Sequence, residues 1–61
     1  MGGWKLEHMK STRRYKDYII GYVFKNGQRY VFNKIGKLLE ITSSPEQAIQ
    51  YIDFRISYYG K

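Results

Sequence analysis

A chain of 61 residues with a net charge of +6 and no cysteine is one domain whose core can only just offset its conformational entropy. The absent thiols exclude disulfides and thiolate metal sites. No apolar run approaches a membrane span and no signal-peptide pattern opens the chain, so a cytoplasmic protein without membrane association is expected. The aromatic share of 18%, with seven tyrosines, exceeds what a small core needs, because each buried hydroxyl wants a partner.

Residues 1–14 carry Lys5, Lys10, Arg13 and Arg14 against the single acid Glu7. No hydrophobic period appears there, which predicts a flexible basic arm. Trp4 stands apart in it, a lone indole that either folds back over an open core or meets a partner. From Tyr15 the chain reads as one β-β-β-α domain over 15–61, an α+β fold in which a three-stranded antiparallel meander packs on one C-terminal helix. The first strand is expected over Tyr15–Lys25 and the second over Gln28–Asn33, joined by an Asn26-Gly27 hairpin turn whose central residues tolerate positive φ. The order Asn33-Lys34-Ile35-Gly36 suits a second turn closed by a left-handed glycine, placing the third strand over Lys37–Thr42.

These turns set the register. Tyr22 should lie opposite Val31, Gly21 opposite Phe32, Phe32 opposite Leu38 and Val31 opposite Leu39. The face that meets the helix then collects Tyr18, Ile20, Tyr22, Phe24, Val31, Leu39 and Ile41. Tyr30 and Phe32 go to the other face and are expected to be open to solvent there.

Ser44 as N-cap, Pro45 at the first helical position and Gln47 three residues after the cap mark a helix start with a capping box. Ala48, Ile49, Ile52 and Ile56 form the packing stripe. Tyr51, Phe54 and Tyr58 form a second stripe that one sheet does not need. The helix is expected to run to about Tyr58 with Gly60 as its stop, although residues 54–59 also have strand-like composition.

Nothing in this pattern supports catalysis. His8 has no companion ligands, and Glu7, Asp17, Glu40, Glu46 and Asp53 are scattered, so neither a metal nor a cofactor nor an acid–base pair is expected. Recognition remains. Tyr30 and Phe32 with Lys25, Arg29 and Lys34 would let rings stack on bases while cations neutralise phosphates, and Lys10, Arg13, Arg14 and Lys16 would add affinity. This favours a small nucleic-acid-binding accessory module, DNA before RNA. The alternative is a protein-binding module or inhibitor of the phage or mobile-element type, docking on an acidic host protein through Trp4, Tyr51, Phe54 and Tyr58, as a monomer or a dimer.

Arg13-Arg14, the run Lys25-Asn26-Gly27-Gln28-Arg29 and the segment Thr42 to Asp53 together resemble three-strand-plus-helix DNA-binding modules, such as the plant ethylene-response-type domain and the arm-binding domains of phage integrases. The resemblance covers about two thirds of the chain, through short motifs. It implies that the sheet face opposite the helix enters a DNA groove. No tryptophan stands in the predicted sheet, and the turn at Asn33 lengthens the path to the helix; both depart from that pattern.

Overall fold

A computed structural model describes residues 5–24 and 27–59. The fold is α+β, with one four-stranded antiparallel sheet in the order β1-β2-β3-β4 followed by a single helix. The strands are β1 (Ser11–Tyr15), β2 (Tyr18–Tyr22), β3 (Arg29–Phe32) and β4 (Leu38–Thr42), and the helix α1 is Pro45–Tyr59.

The three-stranded expectation is corrected by β1. Ser11–Tyr15 pairs along β2, from Ser11 opposite Tyr22 to Tyr15 opposite Tyr18, so Ser11–Arg14 of the expected flexible arm is a sheet edge, while its residues 1–4 lie outside the described residues. The run expected as one strand over Tyr15–Lys25 breaks at Lys16-Asp17, where Lys16 adopts φ 56°. The break is held from a distance: Lys16 Nζ and the Tyr15 hydroxyl donate to Asp53 Oδ1 on α1 at 2.9 and 3.0 Å. Upstream, a 3₁₀ turn at Leu6–His8 leads into the sheet, and Lys10 N–H donates to the Tyr22 carbonyl at 2.8 Å.

The β2–β3 connection is longer than a two-residue hairpin. Ile20, not Tyr22, lies opposite Val31, and Gly21 lies opposite Tyr30. This displacement by two residues keeps the side chains of β2 and β3 on their expected faces. Gly27 has φ 89°; Asn26, the other central residue of the expected turn, lies outside the described residues.

The second turn forms as read. Gly36 is left-handed at φ 91°, the Asn33 side-chain oxygen accepts from Ile35 N–H and Lys37 N–H at 3.1 and 2.9 Å, and Phe32 lies opposite Leu38. A bulge then puts Val31 opposite Glu40 and Tyr30 opposite Ile41. The extra residue corrects the expected Val31–Leu39 pair and moves Ile41 to the face away from the helix.

Helix α1 starts where the capping pattern places it. Gln47 N–H donates to Ser44 Oγ at 3.1 Å, while the Gln47 side chain reaches back to Ser43, accepting from its N–H at 3.1 Å and its hydroxyl at 2.8 Å. Residues 54–59 are helical to Tyr59, and Gly60, the expected stop, lies outside the described residues. Ala48 and Ile52 are fully buried against Ile20 and Val31, with Ile49, Tyr51 and Ile56 packed around them. Burial of this apolar surface supplies the main stabilisation of the helix face. Phe24, expected on that face, is exposed in the connection after β2.

The opposite face is partly covered, with Ile41 left 43% exposed on it. A Cβ on Gly21 would stand 2.7 Å from Met9 Cγ, and one on Gly36 would stand 3.1 Å from Leu6 Cδ1. The segment through Leu6 and Met9 therefore lies against the sheet side that α1 leaves open. Gly21 admits the Met9 side chain by having none of its own.

Candidate binding surface

The aromatic sheet face expected to bind nucleic acid is not on the surface. Tyr30 is 4% exposed and Phe32 0%. Tyr30 lies opposite Gly21, over which Met9 is seated, and its hydroxyl donates to Gln28 Oε1 at 3.3 Å. The groove-entering face implied by the resemblance to DNA-binding modules is thus covered by the chain's own N-terminal segment.

The predicted cations are spread over several places. Lys10, Arg13 and Arg14 are exposed along the β1 edge. Arg29 is half-buried, with its guanidinium 4.7 Å from the centre of the Tyr22 ring and one N–H on the Gln28 carbonyl. Lys16 sits in the β1–β2 turn and Lys34 in the β3–β4 turn, at the same end of the meander. Lys25 and Trp4 lie outside the described residues.

At that shared end the helix finishes, and here the exposed rings collect. Phe54 and Tyr58 are 62% and 67% exposed and stack with centroids 5.7 Å apart at 8°, as the i, i+4 spacing on a helix allows. Tyr59, also exposed, meets Tyr58 edge-on at 4.8 Å. Tyr51, expected in the same stripe, instead packs against the core. Its hydroxyl accepts from Arg55 at 3.2 Å.

Arg55 belongs to this surface and is absent from the residues expected from the sequence. Its guanidinium lies 5.7 Å from the Tyr51 ring centre and 5.0 Å from that of Tyr59. The spacing 51, 55, 59 puts it between two tyrosines on one helix face, so a signal was there to find. Hydrogen bonds to Tyr18 and Tyr51 hold its pKa above the ordinary arginine value. Its buried Nε has no hydrogen-bond partner among the described residues.

The ion pair beside it has a different role. The bonds from Lys16 and then Tyr15 hold the Asp53 carboxyl below the usual carboxylate range, and the same contact with Asp53 raises Lys16. Both partners are about half exposed at 2.9 Å, so this pair fixes the turn on the helix more than it stabilises the fold.

Between the two turns and the helix end runs an open groove of about 630 Å³. Lys16, Lys34 and Arg55 bring three cations to it against the one carboxylate of Asp17, and Ile35, Ile56 and Tyr59 bring apolar surface. A smaller cleft of about 250 Å³ lies at the other end, between Arg13, Arg29 and the start of α1. Among the described residues no group of three or more His, Cys, Asp and Glu side chains could hold a metal, and no helix is long and apolar enough to cross a membrane. No family model, no curated protein and no solved structure matches this chain.

Proposed function

We propose that the protein is a non-enzymatic cytoplasmic binding module that docks on an acidic protein surface through the end of α1. The observation that carries this reading is the cluster of Phe54, Tyr58 and Tyr59, three exposed rings of which Tyr58 touches the other two. Large rings left in water together mark an interaction surface, and Tyr with Arg is the composition that dominates interface energetics. The net charge of +6 steers association toward an acidic partner and opposes self-association.

A second reading keeps nucleic acid as the partner, now through the exposed Lys10, Arg13 and Arg14 of the β1 edge. Charges on an edge strand also guard against edge-to-edge pairing, which accounts for them without a ligand.

The experiment is a random-peptide selection on the wild-type chain, followed by titration of the recovered peptides against wild type and Phe54→Ser/Tyr58→Ser, both checked for folding by circular dichroism. The expected peptides are acidic and apolar, and they bind the variant about tenfold more weakly or worse. Peptides that ignore the substitutions, with duplex DNA binding that falls steeply between roughly 50 and 200 mM salt, would move the function to the β1 edge.

A further inference from the structure

The groove beside the exposed rings has features that the rings alone do not explain. Ile35 is 80% exposed at the tip of the β3–β4 turn. The Asn33 side chain, accepting from the N–H groups on both sides of Gly36, holds that tip in one conformation. The facing wall is equally fixed, because Asp53 ties the β1–β2 turn to the helix through Lys16 and Tyr15. Walls that are already ordered cost little more entropy when a ligand arrives.

The charges within it are unequal in their commitments. Lys16 is engaged by Asp53 at 2.9 Å, whereas Lys34 is exposed at the turn. Arg55 lines the groove beside the Tyr59 ring, and its buried Nε has no hydrogen-bond partner among the described residues. The groove is open to solvent, too open to bury most of a small ligand's surface. A stretch of polypeptide would fill it better. A second copy of this chain would bring its own +6 charge against these cations.

We infer that the groove receives a short acidic segment of the partner, with an apolar side chain between Ile35 and Ile56 and carboxylates on Lys34 and Arg55. This rests on the protein-docking function proposed above and names the chemistry of what is docked. Carboxylates meeting Lys and Arg gain charge-assisted hydrogen bonds, and the apolar side chain selects among acidic sequences that charge alone would not separate.

The test uses the full chain labelled with nitrogen-15 and a synthetic acetyl-Asp-Glu-Glu-Leu-Phe-Glu-Asp-amide, followed by amide chemical shifts. One control peptide replaces every acid by its amide; the other replaces Leu-Phe by Gly-Ser. The expected shifts concentrate at Lys34, Ile35, Ile56 and Tyr59, and both controls bind about tenfold more weakly. Lys34→Glu and Ile35→Ser, both at exposed turn positions, each weaken the acidic peptide by a similar factor.

Shifts at Phe54 and Tyr58 without the groove would overturn the inference and leave the docking reading standing. Shifts spread evenly over the basic surface, controls that bind as well as the parent peptide, or no shifts at all would overturn the inference too. The peptide selection described above would still decide the docking reading separately.

Discussion

The two faces of the sheet are covered by different means. On one, α1 lays Ala48 and Ile52 on Ile20 and Val31, and all four are nearly inaccessible. On the other, a short irregular segment uses Leu6 and Met9 to cover a face that carries Tyr30 and Phe32. The helix satisfies its backbone internally and needs only an apolar stripe. The N-terminal segment bonds internally through one 3₁₀ turn and reaches the sheet through side chains fitting glycine gaps. The first closure is periodic; the second is a matter of fit.

The largest effect should come from the helix face. Ile52→Ala removes a fully buried side chain and should cost about 2–5 kcal/mol, most of the stability of so small a domain. Urea unfolding followed by circular dichroism measures it. A loss below about 1 kcal/mol would mean that the helix is not what closes the fold.

The other face should respond more mildly. A methyl group on Gly21 would press on Met9 Cγ at 2.7 Å and Thr12 Cγ2 at 3.1 Å, and Met9 can yield. Gly21→Ala is therefore expected to cost about 1 kcal/mol and to cost less when Met9→Ala is already present. A coupling of at least about 0.5 kcal/mol in that double-mutant cycle is the result that ties Met9 to Gly21; equal costs in both backgrounds would separate them.

The smallest effect concerns the Lys16–Asp53 contact, which joins the β1–β2 turn to the helix. Asp53 is depressed, so its contribution is present above the unfolded carboxylate pKa of about 4 and is lost as pH falls through the lower folded value. Lys16 is raised, so its contribution is present below the unfolded lysine pKa of about 10.4 and is lost as pH rises through the higher folded value. Asp53→Asn should flatten both limbs of a melting-temperature profile against pH while changing neutral stability little. Unchanged limbs would mean that the pair does not persist in solution.

How much of this could be read beforehand followed from how local the cause was. The start of α1 is written into Ser44-Pro45-Glu46-Gln47, and the second turn into Asn33 and Gly36, because each uses groups within a few residues of one another. Strand β1 gave no such signal. Ser11 to Arg14 are exposed on both sides of an edge, so there is no alternation to find, and its closing turn has lysine rather than glycine at positive φ. The covering of Tyr30 and Phe32 depends on contacts such as Met9 with Gly21, which no local pattern announces.

The site divides along the same line. Helical spacing puts Phe54, Tyr58 and Tyr51 in one stripe but does not say which ring the core claims; Phe54 and Tyr58 are exposed and Tyr51 packs against the core. The groove joins Lys16, Lys34 and Arg55, far apart in sequence and neighbours only because a meander returns alternate turns to one end.

The position of α1 at the end of this series of elements has a consequence for synthesis. All four strands leave the ribosome before Ala48 and Ile52 do, and neighbouring strands can pair as they emerge. Until the helix follows, Ile20 and Val31 have nothing above them, so the nascent sheet passes through an interval in which its apolar side is open to chaperones or to other unfinished chains.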